Sequence, residues 1–165
     1  RGHFSETWNK ALLSENGIDI DFIQDNQSVS VPSGTLRGLH FQAPPRAQDK
    51  LVRVITGSIL DIAVDIRRGS PTYGHWARVE LTDENGKQLL VPIGFAHGFV
   101  TRAPNTTVVY KCSDTYAPEA EGSVHFADRD LNIDWGIPVD AVTISDKDKM
   151  APSFADLQSP FEYEG

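Results

Sequence analysis

Short strand-like segments follow one another along most of the chain, and this pattern restricts the possible folds more than any other feature. Gly, Pro, Asn or Asp residues separate the segments. Many short strands that recur about every 8–12 residues are typical of an all-β sandwich or barrel. We therefore predict an all-β fold with strands at DIDFIQD, TLRGLHFQ, KLVRVITG, SILDIAVDI, HWARVELT, QLLVPI, GFVTRA and TTVVYKCS.

Two short helical segments and one hairpin complete the predicted elements. SETWNKALLSENG predicts a helix that ends at Gly17, and SDKDKMAPSFADL predicts a short helical turn near the other end of the chain. The Asn-Gly pair in DENGK predicts a tight hairpin between strands at 75–82 and 87–93. Because neither a repeat nor a linker interrupts the chain, we predict a single domain over residues 1–165.

Charge and cysteine content exclude several classes of protein. The net charge of −8 argues against a nucleic-acid partner, which needs clustered Lys and Arg. Cys112 is the only cysteine, so internal disulfides and sites built on several thiolates are excluded, and a cytoplasmic location fits. No apolar run of about 18 residues occurs, so we expect no membrane span. The chain starts at Arg1 without a charged-then-apolar leader, so we expect no signal peptide and allow for a shortened N-terminus.

The segment TLRGLHFQ has the apolar residues of a buried strand but also carries a cation and an imidazole. Arg37 and His40 are three residues apart, so a regular strand would place them on opposite faces. Gly38 lies between them, where a bulge or bend would occur. If the strand is irregular there, both side chains can reach one pocket. If it is regular, Arg37 lies on the surface.

Alternation assigns the remaining polar strand residues to faces. In 58–66, Asp61 and Asp65 share a face, which either lines a cavity or contacts solvent. In 106–112, Tyr110 shares a face with Cys112, whereas Lys111 points the other way. A tyrosine in a strand most often serves in packing, so alternation alone assigns it no chemical role.

Two glycine-containing segments resemble the paired strand-turn motifs of the cupin superfamily. The first runs from Gly34 to His40, and the second runs from 86 to 97 and ends at His97. Cupins are double-sheet β-barrels of the jelly-roll type, so the resemblance implies that fold, here with short peripheral helices. Metal-binding cupins supply His-x-His and Glu from the first motif. Gln42 replaces the second histidine here and no Glu follows, so we expect no metal.

A longer ordered set of segments resembles the dTDP-4-dehydrorhamnose 3,5-epimerase family. The set comprises RGLHFQ, KLVRV, GSILDIAVDIR, SPTYGHW, PIGFAHGFVT, VVYK, YAPEAEGS and SDKD, and the match extends from RGHFSE at residue 1 to SDKDK at 149. The resemblance implies an isomerase that epimerises C3 and C5 of a dTDP-4-keto-6-deoxy sugar in dTDP-L-rhamnose biosynthesis. It also implies that no cofactor is used, and that a homodimer forms in which the N-terminal segment contributes to the neighbouring site.

The same resemblance implies four catalytic residues. His40 is the base, which suits an imidazole because it titrates near neutral pH. Asp148 orients His40, Tyr110 is the acid on the opposite face of the sugar, and Lys50 stabilises the enolate.

The resemblance also implies the substrate-binding residues. Arg37 meets the diphosphate, for which a guanidinium fork is suited. The other positions implied to contact the nucleotide or the sugar are Arg1, Glu6, Gln24, Asp25, Asn26, His97, Glu121 and Lys147.

Three other functions stay open at this point. A close relative could invert only C3 or only C5 of a related sugar nucleotide. A non-catalytic cupin could bind a nucleotide sugar, with Tyr110 and Lys50 in packing and surface roles. A metal-dependent cupin oxygenase is a more distant alternative, because the usual ligand set is incomplete.

Overall fold

Strands dominate the computed structural model, which describes residues 1–165. The strands are β1 (Gln24–Ser30), β2 (Leu36–Gln42), β3 (Lys50–Thr56), β4 (Ser58–Asp65), β5 (Trp76–Thr82), β6 (Gln88–Val91), β7 (Phe95–Thr101), β8 (Thr106–Cys112) and β9 (Glu121–Ser123). The helices are α1 (Lys10–Glu15) and α2 (Asp146–Lys149), with 3-10 turns at Pro118–Ala120 and Val139–Ala141. Neither α1 nor α2 has the length and hydropathy of a membrane-spanning helix.

The strands form two antiparallel sheets. The front sheet has the order β1-β8-β3-β6, and the back sheet has the order β5-β4-β7-β2-β9. The predicted all-β, double-sheet architecture is confirmed. The predicted helices are also confirmed: α1 is followed by Gly17, whose φ is +83°, and α2 is a single turn.

Two apolar clusters lie on either side of the back sheet. The larger one has 13 buried residues and lies between the outer face of the back sheet and the C-terminal segments, where Trp135 and Phe161 cover it. The smaller one has 8 buried residues and lies between the two sheets. Most of the apolar packing is therefore outside the barrel, which leaves room for a cavity within it.

Strand β4 is buried on both faces because it lies inside the back sheet. Ile62 and Val64 face the larger cluster, whereas Ile59 and Ala63 face the smaller one. Asp61 is on the same side as Ile59 and Ala63 and is fully buried, so this face does not contact solvent.

The predicted strand at DIDFIQD is wrong in its position. Strand β1 begins at Gln24, and the preceding residues add only one backbone hydrogen bond, from Ile23 N–H to the carbonyl of Cys112. Alternation hid this strand because the residues on its inner face, including Asn26 and Ser28, are polar.

The predicted hairpin around DENGK is also wrong. The turn exists, with Gly86 at a φ of +59° and the side chain of Asn85 accepting from the N–H groups of Thr82 and Lys87. However, β5 pairs with β4 in the back sheet, and β6 pairs with β3 in the front sheet. The turn therefore carries the chain from one sheet to the other.

Candidate active site

A bulge in β2 places Arg37 and His40 on the same face. Arg37 lies opposite Phe99 and His40 lies opposite His97, so β2 advances three residues where β7 advances two. The extra residue reverses the alternation. Both side chains therefore line one cavity between the sheets, as the bulge hypothesis predicted.

Glycine is required at the bulge. Gly38 has a φ of +116°, which side chains of L-residues rarely adopt. A Cβ atom at Gly38 would lie 2.6 Å from the Cα of Gly98 and 2.6 Å from the carbonyl oxygen of His97. The close approach of β2 and β7 thus depends on two facing glycines.

The cavity between the sheets has a volume of about 510 Å³. That volume suits a small-molecule site. The back sheet contributes Arg37, His40, His97 and Phe99, the front sheet contributes Ser28, Lys50 and Tyr110, and the segment around α2 contributes Ser145, Lys147 and Asp148. All four predicted catalytic residues therefore line one cavity.

His40 and Asp148 form a hydrogen-bonded pair. Nε2 of His40 lies 2.6 Å from Oδ1 of Asp148, and Oδ2 of Asp148 accepts from Gly38 N–H at 3.4 Å. The Ser145 side chain caps α2 by accepting from Asp148 N–H. Burial alone would raise the pKa of the Asp148 carboxyl, but the hydrogen bond to His40, that ring's charge and the Gly38 N–H together lower it. Asp148 is thus an anion at neutral pH, able to orient and stabilise a protonated His40.

A second histidine–aspartate pair lies beside the first. Nε2 of His97 is 2.5 Å from Oδ1 of Asp61, and both side chains are buried. Oδ2 of Asp61 has no hydrogen-bond partner in the protein. Alternation left open whether the face shared by Asp61 and Asp65 lines a cavity or contacts solvent. For Asp61 the answer is the cavity, because it supports a residue of the cavity wall. Asp65 instead accepts hydrogen bonds from Arg67, Ser70 and Thr72 and has a structural role.

Lys50 and Tyr110 face the histidines from the front sheet. Lys50 forms no ion pair, and burial lowers the pKa of its ammonium group, although nearby Cys112, Asp61 and Glu121 oppose the shift. Burial raises the pKa of the Tyr110 phenol, so this group stays protonated at neutral pH. The cavity therefore holds an amine without an ion-pair partner and a proton donor opposite the imidazoles.

A second cavity of about 330 Å³ adjoins the first and shares His40, Lys50 and Tyr110 with it. Gln24, Asn26, Tyr116 and Glu121 also line this second cavity. At its edge, Oε2 of Glu121 is 2.6 Å from Nζ of Lys147 and accepts from the Tyr116 hydroxyl at 3.0 Å. The sequence places Tyr116 at the start of a segment that resembles the family, but sequence reasoning gave this residue no role.

Three predicted binding residues do not reach the cavity of their own chain. Arg1 is exposed, and Glu6 lies against the outer face of the front sheet near Arg53. Asp25 points outward and pairs with Lys111 at 3.0 Å. Their predicted contacts with the nucleotide stay predictions.

The residues at the cupin metal position do not fit a divalent ion. His40 and His97 each direct Nε2 at an aspartate. The Gln42 side chain is satisfied by backbone, since it donates to the carbonyls of Arg46 and Thr115 and accepts from Ala117 N–H. No group of three or more His, Cys, Asp or Glu side chains is arranged to hold a metal.

Comparison with known proteins gives the family. The model of the dTDP-4-dehydrorhamnose 3,5-epimerase family matches residues 1–156. The chain belongs to this family. It is therefore an isomerase of the epimerase type. The dTDP-4-dehydrorhamnose 3,5-epimerase of Methanothermobacter thermautotrophicus is 49% identical to this family member over 150 residues, which are 90% of this chain and 80% of that protein.

Solved structures agree in fold. The Legionella pneumophila dTDP-6-deoxy-D-glucose-3,5-epimerase in complex with dTDP-4-keto-L-rhamnose superposes with a TM-score of 0.92 at 42% identity, covering 98% of this chain and 86% of that one. A 3′-monoepimerase from Streptomyces bikiniensis in complex with dTDP-quinovose has a TM-score of 0.82 at 36% identity, covering 91% of this chain and 75% of that one. Enzymes of differing named specificity thus share this fold.

Proposed function

We propose that this epimerase inverts C3 and C5 of dTDP-4-keto-6-deoxy-D-glucose and forms dTDP-4-keto-L-rhamnose in dTDP-L-rhamnose biosynthesis. The observation that carries the proposal is that one cavity has His40 on the back sheet, paired with Asp148 of α2, and Tyr110 on the front sheet. Lys50, which has no ion-pair partner, lines the same cavity from the front sheet. A sugar ring between the sheets would present its two faces to His40 and Tyr110. Membership of the family supports the substrate class and the double inversion.

The chemistry depends on the ketone at C4, because the hydrogens on C3 and C5 are both α to it. Removal of one of these protons leaves an electron pair that delocalises onto the C4 oxygen as an enolate. Protonation of the same carbon from the other face then inverts it. Each inversion needs a base, an acid across the ring and positive charge near the enolate oxygen.

His40 is the base in this proposal. Asp148 engages Nε2 at 2.6 Å, so Nδ1 is left to accept the proton from carbon. The buried carboxylate of Asp148 fixes the ring and stabilises the imidazolium that forms. General bases placed in this way contribute about 10²–10⁴-fold to the rate.

Tyr110 and Lys50 supply the acid and the positive charge that the reaction needs. The phenol of Tyr110 donates its proton to the opposite face of the carbon. Before the next inversion, the phenolate regains a proton from solvent and the imidazolium of His40 releases its proton to solvent. The ammonium group of Lys50, which has no protein partner, is free to stabilise the enolate. Such a cation is most effective in a site from which water is excluded.

Arg37 binds the diphosphate in this proposal. Its guanidinium makes only two hydrogen bonds with the protein, to Ser30 and to the carbonyl of Val29, each at 3.4 Å. Both are long, so the group can turn towards phosphate oxygens, which match its fork geometry.

A homodimer and a cytoplasmic location are also part of the proposal. Arg1 and Glu6 lie outside the cavity of their own chain. They can contact a nucleotide only if the N-terminal segment moves, or if this segment reaches the cavity of a second copy of the chain. The second arrangement agrees with the homodimer that the sequence resemblance implies.

Proton exchange tests the function. The protein is incubated with dTDP-4-keto-6-deoxy-D-glucose in D₂O, and the deuterium is located by NMR and mass spectrometry. We expect label at both C3 and C5, with inversion at each. We expect His40→Asn to lose about 10²–10⁴-fold in rate while still binding dTDP.

The other outcomes are informative. Label at one carbon only would assign the protein to the mono-epimerases. If no label enters while dTDP still binds, the protein is a nucleotide-sugar-binding module and the catalytic proposal fails.

A further inference from the structure

Two charge pairs run side by side between α2 and the back sheet. One joins His40 to Asp148 and the other joins Glu121 to Lys147, each at 2.6 Å. On the sheet, the two residues lie on adjacent strands, because β2 pairs with β9. On α2, Lys147 and Asp148 are consecutive residues. The catalytic pair therefore has a neighbouring pair that joins the same two elements.

Helix α2 depends on such contacts for its position. It has only four residues, whereas isolated helices need about 12–15 residues to be even marginally stable. The side chain of Ser145 caps its first turn, and the charge pairs fasten it to the sheet. Any error in the position of α2 is transmitted directly to Asp148 and so to His40.

The two pairs have opposite polarity. On the sheet, His40 carries the positive charge once protonated, and Glu121 carries the negative charge. On α2, Asp148 is the anion and Lys147 is the cation. If α2 were displaced along the sheet by the distance between the two pairs, Asp148 would meet Glu121 or Lys147 would meet the imidazolium of His40. Both contacts are repulsive. The charge pattern therefore favours one position of α2 on the sheet.

Glu121 is itself held in place. Its side chain is largely buried, and the Tyr116 hydroxyl donates to the same oxygen that contacts Lys147. Burial would raise the pKa of Glu121, but the bonds from Lys147 and Tyr116 and the charge of His40 lower it. Glu121 is thus a fixed anion close to His40.

We propose that Glu121 and Lys147 are positioning residues whose ion pair holds α2 where Asp148 meets Nε2 of His40. The sequence resemblance assigns both to substrate contacts, but in this structure they contact each other. The inference rests on the proposed epimerase function. Other charged or titratable groups also surround His40, and the test must separate their effects: Arg37, Lys50, Asp61, His97, Tyr110 and Asp148.

The experiment compares the kcat of Glu121→Gln, Lys147→Met and the double variant with that of the wild-type protein. The wild-type protein must first be shown to introduce deuterium into the substrate in D₂O. We expect each single variant to lose roughly tenfold in kcat, less than the ~100-fold that misplacement by 1 Å can cost, because the half-exposed pair is partly screened by water. The double variant should be no worse than either single variant. Lys147→Arg should retain most of the activity, and dTDP should bind every variant with an unchanged Kd.

The pH profile of kcat/KM separates positioning from a direct effect of charge. If Asp148 loses its contact, the imidazolium is less stable, so both single variants move the acid limb to lower pH. A direct effect of charge would instead move the acid limbs of the two single variants in opposite directions. Lys147→Met leaves Glu121 unpaired near His40, so the acid limb of this variant should move to higher pH. Lys149→Met is the matched control, since Lys149 lies on the same turn and pairs only with Asp146.

Several results would overturn the inference while leaving the proposed function intact. One is weaker dTDP binding in Lys147→Met with additive losses in the double variant, which would indicate a substrate contact. Acid limbs that move in opposite directions would indicate charge alone. Unchanged kcat in both single variants would show that α2 is held without the pair. Loss of the proposed function is recognised separately, by wild type that introduces no label.

Discussion

Replacing Lys50 by methionine tests whether the cavity holds an unpaired cation at a cost to stability. Lys50 forms no ion pair and is largely buried, and burial lowers the pKa of its ammonium group. Its neighbours across the front sheet are Val91 and Cys112, both buried and uncharged at neutral pH. Methionine has a similar length and no charge, so we expect Lys50→Met to raise the free energy of unfolding.

The size of the gain follows from the burial. Replacing a buried ion pair by apolar residues of similar volume can stabilise a protein by about 1–4 kcal/mol, and a single buried ion lacks the attraction that partly offsets the desolvation of a pair. Lys50 retains some exposure, so we expect the low end, about 1–2 kcal/mol, or a rise in Tm of about 2–8 °C for a chain of this size. The same variant should lose about 10²–10³-fold in kcat, because it removes the cation from the enolate.

The pH dependence identifies the cause of the gain. The pKa of Lys50 is lower in the folded protein than in the unfolded chain, where it is about 10.4. The unfolded chain therefore binds more protons between these two values, so wild-type stability rises with pH there. The penalty is fully present below the folded-state pKa and is absent above the unfolded-state pKa. The advantage of Lys50→Met should therefore narrow as the pH rises from 7 towards 10.

Urea unfolding at pH 7 and pH 10, together with the deuterium-exchange assay, gives both quantities. Lys111→Met is the matched control, because Lys111 lies on the outer face of the same sheet and pairs with Asp25. We expect no stabilisation and little change in activity from it. If Lys50→Met destabilises the protein, or if its gain is the same at both pH values, the unpaired charge is not the source of the cost.

Two further predictions concern the acid and the bulge. Tyr110→Phe should still exchange the substrate hydrogens for deuterium through His40 but should lose inversion, because the opposite face then has no donor; NMR of the recovered sugar nucleotide distinguishes exchange from inversion. Inversion at an unchanged rate would contradict the role of Tyr110. Gly38→Ala should lower stability by about 3 kcal/mol or more in urea unfolding, because its Cβ would lie 2.6 Å from backbone atoms of β7 and its φ is positive. Gly86→Ala is the control, since a Cβ there meets nothing within 4 Å and costs only about 1–2 kcal/mol of backbone strain; equal losses would refute the steric argument.

Strands that carry buried apolar residues could be predicted from the sequence, and these include β2, β3 and β8 of the cavity wall. The position of β1, whose inner face is polar, could not. Strand β4 shows clear alternation, and the prediction for it is confirmed. Strand β1 was misplaced because Gln24, Asn26 and Ser28 occupy its inner face, where a packed core would need apolar residues. A strand whose inner face is polar along its length loses the pattern by which strands are recognised.

The candidate site divides in a similar way. The bulge at Gly38 could be predicted because a conflict of alternation and a glycine coincide within four residues of sequence. The pairing of His97 with Asp61 could not, because 36 residues separate them and their contact depends on the register of β4 against β7. The contact between Glu121 and Lys147 likewise depends on where a single helical turn rests on the sheet.

The unequal size of the two apolar clusters bears on how enzymes of this kind can diversify. Trp135, Phe161 and the rest of the larger cluster lie outside the barrel, separated from the cavity by the back sheet. Substitutions at polar positions of the cavity wall, such as Ser28, therefore leave the apolar packing unchanged. Mutation at these polar positions can vary which carbon is inverted, or which sugar fits, with little loss of apolar packing. The double epimerases and the 3′-monoepimerase that share this fold are what such a separation between foldability and specificity would produce.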